Sequence, residues 1–576
     1  MSVNKFWNVR TPSPFASILA RQARVTSLQA QLLINRGISE PKKAESFMNP
    51  RLANMADPML FKGMDEALFL IFKCIENGEK ITIYGDYDAD GLTSTALLEN
   101  FFSSLGIKVF HYIPDRLREG YGLNSEAIKY IARDGTKLII TVDCGISNSS
   151  EIYLARSLGL DVIVTDHHQI PEGFQPICPV INPNQEGCLF PFKGLAGVGI
   201  AFFLSVAIRS AFREKGLFGI KPEPDLREYL DLVALGTVAD RVPLIDQNRI
   251  LVASGMETMS RSRWAGLAAM MDSADVSPSE MSGGDLAFRL APRLNAPGRI
   301  GNPETGIRLL TVNDSVSARE LALNINRTNN QRQTIEKDIF NDIEEIIRGM
   351  DSIDKRRVLV FAGENWHQGV LGIVASRLVD RYHRPSIVLN IQDGIAVGSG
   401  RSVHGFDLFG ALCQIGHVFE KFGGHKYAAG FTLRSDRVDL LKNELERIAV
   451  SPEGGLKDKD LVPKIDIDSE IALEEVTPEM ISQIGALSPF GEANPEPLFL
   501  ARSLKVHSAR IVGDRHLKLR VGQGKNIFDA IGFNLSNLYP LDGKPVDMVF
   551  TPELNMWQGF ENIQLRIKDL KNEAFL

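Results

Sequence analysis

The sequence predicts an α/β protein: a parallel-sheet domain, a long helix leading to a second α/β domain, and an all-β C-terminal region of small-barrel size. Three observations carry this. Between residues 81 and 165, short apolar runs alternate with stretches of helical length, which is the pattern of βαβ units. Ala318 to Met350 is polar, charge-mixed and nearly free of breakers, as a connector helix is. Towards the C-terminus the apolar segments shorten and are split by Gly, Asn and Asp.

The length of 576 residues suits about four domains at roughly 150 residues each. Hydrophobic residues at 44% and charged residues at 23% are globular values, which excludes a disordered or fibrous chain. The net charge of −7 excludes a histone-like binder, but an acidic average can still contain a basic groove. The five cysteines, Cys74, Cys144, Cys178, Cys188 and Cys413, form no CxxC pair, which argues against a disulfide scaffold or zinc ribbon. No apolar leader opens the chain and no apolar run reaches about 18 residues, so a soluble, cytoplasmic protein without a membrane contact is expected.

The elements follow in order. Residues 1–50 form a mixed, helical-looking segment, and residues 51–315 the first domain. In it a helix over Asp65–Cys74 leads through the turn Asn77-Gly78 to a buried strand, Ile81–Tyr84. Helices over Thr93–Leu105, Ser125–Arg133 and Ser149–Leu158 alternate with strands over Lys108–Ile113, Leu138–Val142 and Asp161–Thr165. The connector occupies 316–352 and the second domain 353–450. The second domain has strands at Val358–Phe361 and Ser386–Leu389 around a helix through Ile373 to Val379. Ser451–Lys459, polar with two glycines, is a linker, and 455–576 carries the barrel.

In open parallel sheets, chemistry gathers at the carboxyl ends of the strands. The strand at Ile81 ends in Gly85-Asp86-Tyr87-Asp88-Ala89-Asp90-Gly91, that at Leu138 in Asp143-Cys144-Gly145, and that at Asp161 in Asp166-His167-His168. The apolar run Leu232–Leu235, taken as a further strand, precedes Gly236-Thr237-Val238-Ala239-Asp240. Alone, a DxD is most often a turn or helix cap, and a histidine pair a core or surface feature. Together they place six aspartates and two histidines at one edge. Like charges that close raise one another's pKa, and a divalent cation relieves the problem. Oxygen ligands with few imidazoles suit Mg²⁺ or Mn²⁺, and the ligands suffice for two ions of the kind that clamp phosphoryl transfer.

These four motifs resemble those of the DHH phosphoesterase superfamily. Ala291-Pro-Arg-Leu-Asn-Ala-Pro-Gly-Arg299, His367-Gln-Gly-Val-Leu-Gly-Ile-Val-Ala-Ser-Arg377, Gly398-Ser-Gly-Arg-Ser402 and Gly423-Gly-His-Lys-Tyr-Ala-Ala-Gly430 narrow the resemblance to the RecJ-type single-strand-specific exonucleases. It runs from about residue 50 to the C-terminus. Only Pro297 stands where a small residue is usual.

The resemblance implies a DHH domain, a DHHA1 domain after the long helix, and a C-terminal OB-fold. It implies hydrolysis of single-stranded DNA from the 5′ end to mononucleotides with two Mn²⁺ or Mg²⁺ ions, in DNA repair and recombination. Asp143 would bridge the ions. Asp88 would hold one, with Asp86 a ligand or close neighbour, and Asp90, His167 and Asp240 would hold the other. His168 would face the scissile phosphate, with Arg116 or its neighbour Arg118, and Arg299, as candidate cations. Asn295, Ser399, Arg401, Gly424 and His425 would contact substrate, with Ser399 and Arg401 after the strand Ala396–Gly398 at the terminal phosphate and Gly423-Gly424-His425 in a loop packed on substrate. A single-strand-binding protein and a RecQ-type helicase would be partners, and the chain a monomer.

Gly197-Val-Gly199 reads as a packing turn, since it lacks the third glycine and ribose acid of a dinucleotide site. In the tail, residues 451–500 hold eleven acids against three bases, whereas 501–520 hold Arg502, Lys505, Arg510, Arg515, Lys518 and Arg520 against Asp514 alone. Trp557 and Phe560 are possible stacking faces for single strands, and Phe533 is expected in the barrel core. Two rivals are weaker. A phosphodiesterase for short oligonucleotides would not need the 126 residues from Ser451 onwards, and a scaffold that had lost catalysis would not keep all the metal acids.

Overall fold

The computed structural model describes residues 5–219, 222–350, 352–452, 455–541, 543, 545–557 and 560–572. It divides into two compact units. One comprises Asn49–Asp338 with Pro489–Asn494, and the other Met1–Met48, Ile339–Ser488 and Pro495–Leu576.

In the first unit, α1 (Met64–Glu76), β1 (Lys80–Gly85), α2 (Ala89–Ser104), β2 (Val109–Tyr112), α3 (Ser125–Arg133), β3 (Thr136–Val142), α4 (Ser149–Ser157), β4 (Asp161–Thr165) and β5 (Val180–Ile181) alternate along the chain. The sheet is entirely parallel, ordered β2-β1-β3-β4-β5. Its strands are apolar on both faces, as a covered parallel sheet requires. Ile81, Ile83, Leu138, Ile140, Val142 and Ile163 enter one core with α1 and α2, while Tyr84, Ile139, Val162 and Val164 enter the other with α3 and α4. Every βα connection therefore opens at the same carboxyl edge.

Two elements differ from expectation. Helix α2 begins at Ala89, four residues before the predicted start, because Asp88 caps it: its Oδ1 accepts from the N–H groups of Asp90 (3.0 Å) and Gly91 (3.1 Å). The run Leu232–Leu235 is not a strand but the middle of helix α6 (Leu230–Ala239), which follows α5 (Gly197–Glu214). All of Leu230–Val238 is buried, so α6 is apolar all round and shows no helical stripe, which makes its short apolar run indistinguishable from a buried strand. Helix α7 (Asp246–Met259) comes next, and the connector α8 (Ser315–Arg348) spans 34 residues, about 51 Å at 1.5 Å per residue.

In the second unit, β6 (Leu359–Glu364), α9 (Leu371–Tyr382), β7 (Ser386–Gln392), β8 (Ile395–Arg401), β9 (Lys421–His425) and β10 (Ala428–Arg434) build a mixed sheet ordered β9-β10-β8-β7-β6. Ser399 and Arg401, expected beyond a strand, lie within β8. Gly398 and Gly400 occupy its buried face, where a Cβ would meet Phe431 at 2.5 Å and Leu408 at 2.8 Å, so the glycines permit the sheet rather than end it. Gly423-Gly424-His425, expected as a loop, is strand β9, and Lys426-Tyr427 is the hairpin turn. The strand Phe6–Val9 pairs in parallel with Lys464–Ile467.

The barrel follows: β11 (Ser469–Glu470), β12 (Phe499–Val512), β13 (His516–Gln523), β14 (Asn526–Gly532), β15 (Val546–Trp557) and β16 (Phe560–Asn572), closed by β12–β15 pairing. Leu517, Leu519, Val521 and Ala530 face its core. On the opposite face Arg510 pairs with Lys518, and Arg520 stands beside it. Phe533, expected inside, is 52% exposed and lies edge-on to His516 at 5.2 Å, because it falls just past the end of β14. The side chains of Trp557 and Phe560 lie outside the described residues.

Candidate metal centre

The carboxyl edge of the first unit collects the acids. Asp86 leaves β1, and Asp88 and Asp90 open α2. Asp143 follows β3 in the left-handed region at φ 61°, a conformation costly for a residue with a Cβ. It is held there by its N–H on Thr165 O (3.1 Å) and by the Tyr121 hydroxyl, which donates to its carbonyl (3.0 Å). His167 follows β4. Asp240 comes from the C-terminal cap of α6, not from a strand.

Their ligand atoms converge. Asp86, Asp88 and Asp143 form one set whose ligand atoms lie within 4.8 Å of one another, and Asp90, His167 and Asp240 form another. Nε2 of His167 lies 3.1 Å from Asp143 Oδ1, 3.5 Å from Asp240 Oδ2 and 4.0 Å from Asp90 Oδ2, so Asp143 adjoins both sets. Asp86 Oδ1, Asp143 Oδ1, His167 Nε2 and Asp240 Oδ2 are buried with no hydrogen-bond partner among the described residues.

The electrostatics follow from this crowding. Burial and the Asp88 charge raise Asp90 to about 7, even though the N–H groups of Val198 and Gly197 favour its ionised form. Burial and the charges of Asp90 and Asp88 raise Asp240 to about 9. Burial drives Asp143 well above the usual carboxylate range, with Asp90 and Asp88 adding to it, and burial with the Asp88 charge does the same to Asp86. Burial and the neighbouring His168 lower His167 to about 4, so its imidazole is neutral, the form that ligates metal.

Asp166 is differently placed. Its Oδ2 accepts from Ile146 N–H (3.0 Å), and its Oδ1 contacts both the N–H (3.0 Å) and Nδ1 (2.7 Å) of His168. Burial would raise this acid, but the His168 ring overcomes that and holds it low. The same bond raises His168 against the effect of its own burial. The Tyr121 hydroxyl stands 3.1 Å from His168 Nδ1. Tyr121, between Gly120 and Gly122 in the loop after β2, was missed as a site residue, and an aromatic between two glycines was its only signal.

Of the two competing arginines, Arg116 lies over the Tyr87 ring at 5.2 Å and its charge acts on Asp86. Arg118 turns outward to Asp115 at 4.0 Å, its side chain 88% exposed. The Arg299 charge also acts on Tyr87. Asn295 accepts from Ala89 N–H through Oδ1 (2.7 Å), and so holds the aspartate turn. Gly197-Val-Gly199 is not a packing turn: it opens α5, and the N–H groups of Gly197 and Val198 donate to Asp90 at 2.6 and 2.8 Å. In the second unit, the Arg401 guanidinium contacts Ser399 Oγ (3.2 Å). Both side chains crowd Gly372, in the first turn of α9, where a Cβ would lie 2.9 Å from Arg401 Nη2 and 3.0 Å from Ser399 Oγ. Gly424 adopts φ 150° against Ala428 O, where a Cβ would stand at 2.4 Å, and His425 is exposed beside it.

Comparison with known proteins places this geometry in a family. Residues 80–237 match the DHH family N-terminal domain, 355–451 the DHHA1 domain and 467–569 the RecJ OB domain. The single-stranded-DNA-specific exonuclease RecJ of Bacillus subtilis is 38% identical over 572 residues, covering 98% of this chain and 70% of the relative. The chain belongs to the RecJ family. RecJ of Escherichia coli is 35% identical, covering 95% of this chain and 96% of that protein. The crystal structure of Thermus thermophilus RecJ in complex with Mn²⁺ superposes with a TM-score of 0.83 at 29% identity, covering 98% of this chain and 79% of that one. A Mg²⁺ complex of the same protein gives 0.77. Among the described residues, no helix is long and apolar enough to cross a membrane.

Proposed function

We propose that this RecJ-family chain is a metal-dependent exonuclease that hydrolyses single-stranded DNA from the 5′ end to mononucleotides, in DNA repair and recombination. The observation that carries the reading is the convergence of buried, unpartnered ligand atoms on Asp86, Asp143, His167 and Asp240. Such atoms fit a divalent cation, and carboxylates with one neutral imidazole suit Mn²⁺ or Mg²⁺. Asp86, Asp88 and Asp143 would hold one ion, and Asp90, His167 and Asp240 the other, with Asp143 shared. When bound there, two divalent ions would supply Lewis-acid chemistry, lowering the pKa of a water and neutralising charge on the phosphoryl oxygens.

The chain's own residues orient the reaction. Asp166 and Tyr121 contact His168 Nδ1, and Asp166 raises the ring's affinity for a proton against the effect of burial, which suits a donor to the leaving 3′ oxygen. Arg116 and Arg299 meet charge developing on the phosphate. Ser399 and Arg401, at the first turn of α9, suit a terminal phosphate, with Gly424 and His425 on the neighbouring hairpin. Arg510, Lys518 and Arg520 give the barrel a basic face for single strands. A single-strand-binding protein and a RecQ-type helicase as partners, a monomeric state and a cytoplasmic location complete the proposal on the family resemblance.

The test uses purified protein, Mn²⁺ and single- or double-stranded DNA labelled at either end. Early release of the 5′ label as a mononucleotide from single strands alone is expected. Early release of the 3′ label, or equal cleavage of duplex, refutes the reading.

A further inference from the structure

We infer that Asn248 is a positioning residue of the metal centre, one buried amide that fastens together the two backbone segments behind the ligands. Asn248 lies in the first turn of α7 and is fully buried. Its Nδ2 donates to the carbonyl of Gly194 at 2.6 Å and to the carbonyl of Pro243 at 3.0 Å. Pro243 is three residues beyond Asp240, and Gly194 three residues before Gly197.

The Gly194 side of this staple touches three ligands. Leu195 hydrogen bonds His167 through its backbone. Gly197 and Val198 donate to Asp90. Gly197 also packs on Asp143, 2.7 Å separating the Asp143 Cβ from where a Cβ would stand. The Pro243 side carries Asp240 itself. Helices α5 and α6 lie between Gly194 and Pro243 along the chain, and Asn248 contacts the carbonyls flanking them with one NH₂ group. Without it both half-buried carbonyls would lose this donor.

The neighbouring residues anchor the staple. Arg249, also buried, donates to Pro489 O, and Leu244 N–H donates to Glu492 O at 2.8 Å. The short segment Pro489–Asn494 thus braces the Asp240 side within the same unit. Groups that hold metal ligands from behind typically change metal affinity 10- to 100-fold when removed. This inference rests on the proposed metal centre.

The experiment measures Mn²⁺ binding to the full-length protein without DNA, by the free-ion EPR signal, alongside melting temperature. Wild type, Asn248→Ala, Asn248→Ser, Asp143→Ala and Leu267→Ala are compared. Leu267 is a buried side chain on a helix carrying none of the ligands, so its variant reports instability alone. Asn248→Ala is expected to weaken Mn²⁺ at least tenfold, Asn248→Ser, which keeps one donor, by less, and Leu267→Ala by under twofold. Binding by Asn248→Ala within twofold of wild type overturns the inference, as does a loss in Leu267→Ala equal to it. Failure of both Asn248 variants to fold also overturns it, by placing Asn248 in the fold rather than the site. Absence of Mn²⁺ binding in wild type, or undiminished binding in Asp143→Ala, instead refutes the metal centre.

Discussion

Gly197→Ala tests how tightly the site is built. A methyl group there would stand 2.7 Å from Cβ and 3.0 Å from Oδ1 of Asp143. Carbon atoms rest at about 3.5–4.0 Å, so about 1 Å must be found. Asp143 cannot yield easily: its strained backbone is pinned by Thr165 and Tyr121. Helix α5 cannot yield easily either, since moving its first turn stretches the 2.6 and 2.8 Å bonds to Asp90. Overpacking of this kind costs about 1–3 kcal/mol in stability. The larger effect falls on rate, because a 1 Å misplacement can cost about 10²-fold. The assay is kcat on a 5′-labelled single strand at saturating Mn²⁺, with melting temperature alongside. Gly199→Ala is the control, as its nearest neighbour is the flexible end of Leu195 at 3.2 Å. A Gly197→Ala enzyme that keeps more than about a third of wild-type kcat, or falls no further than Gly199→Ala, refutes the packing argument.

Asp143→Ala is expected to abolish hydrolysis while metal-free folding and single-strand binding survive; activity above a few per cent of wild type would remove it from the shared position. His111 contacts Glu99 through Nδ1 (2.8 Å) and Glu304 through Nε2 (3.0 Å), and although burial opposes its charge, these bonds raise it to about 10. A raised base stabilises fully below its unfolded pKa of about 6.5 and loses that contribution as pH rises to about 10, so His111→Gln should cost roughly 2–4 kcal/mol at pH 6 and little at pH 10.5 by thermal melting. Arg401→Ala should lower cleavage of 5′-phosphorylated strands several-fold more than of 5′-hydroxyl strands, and equal losses would exclude it from the phosphate site. A chain ending at Asn494 keeps the brace on Leu244 and Arg249, whereas one ending at 455 loses it, so the shorter protein should melt lower and bind Mn²⁺ more weakly; identical values would show that the brace is idle.

The parallel sheet and most of the acids gathered at its edge were legible because each carries a local signal. β1, β3 and β4 are runs of β-branched and aliphatic residues ended by an acid, and parallel strands deliver their carboxyl ends to one edge. Asp240 was singled out by its residue type, and the structure brings it beside His167 and Asp90, although its element was misread because α6 is buried all round and carries no periodicity. The second unit misled for a related reason. Glycine ordinarily marks a turn, but Gly398, Gly400, Gly423 and Gly424 sit within paired strands, and at Gly398, Gly400 and Gly424 a Cβ would meet Phe431, Leu408 and Ala428.

Apart from Tyr121, whose hydroxyl reaches Asp143 and His168, the parts of the site that stayed hidden share one property. Gly197 and Val198 act on Asp90 through backbone N–H groups, 107 and 108 residues away in sequence. Leu195 acts on His167 through its backbone, and Asn248 acts on two carbonyls. Every residue but proline offers an N–H and every residue a C=O, so such contacts leave no mark in residue type. Yet they are what crowded carboxylates require: a buried acid near 7, such as Asp90, would rise further without those two donors. Ligands are therefore legible as chemistry, while their support is legible only once the fold has brought distant segments together. That division predicts where substitutions will mislead. Changes at Asp86, Asp143 or His167 announce themselves in the sequence, whereas Gly197 and Asn248 look like ordinary helix-start residues, yet Gly197 touches Asp90 and Asp143 and Asn248 holds the segments that carry Gly197 and Asp240.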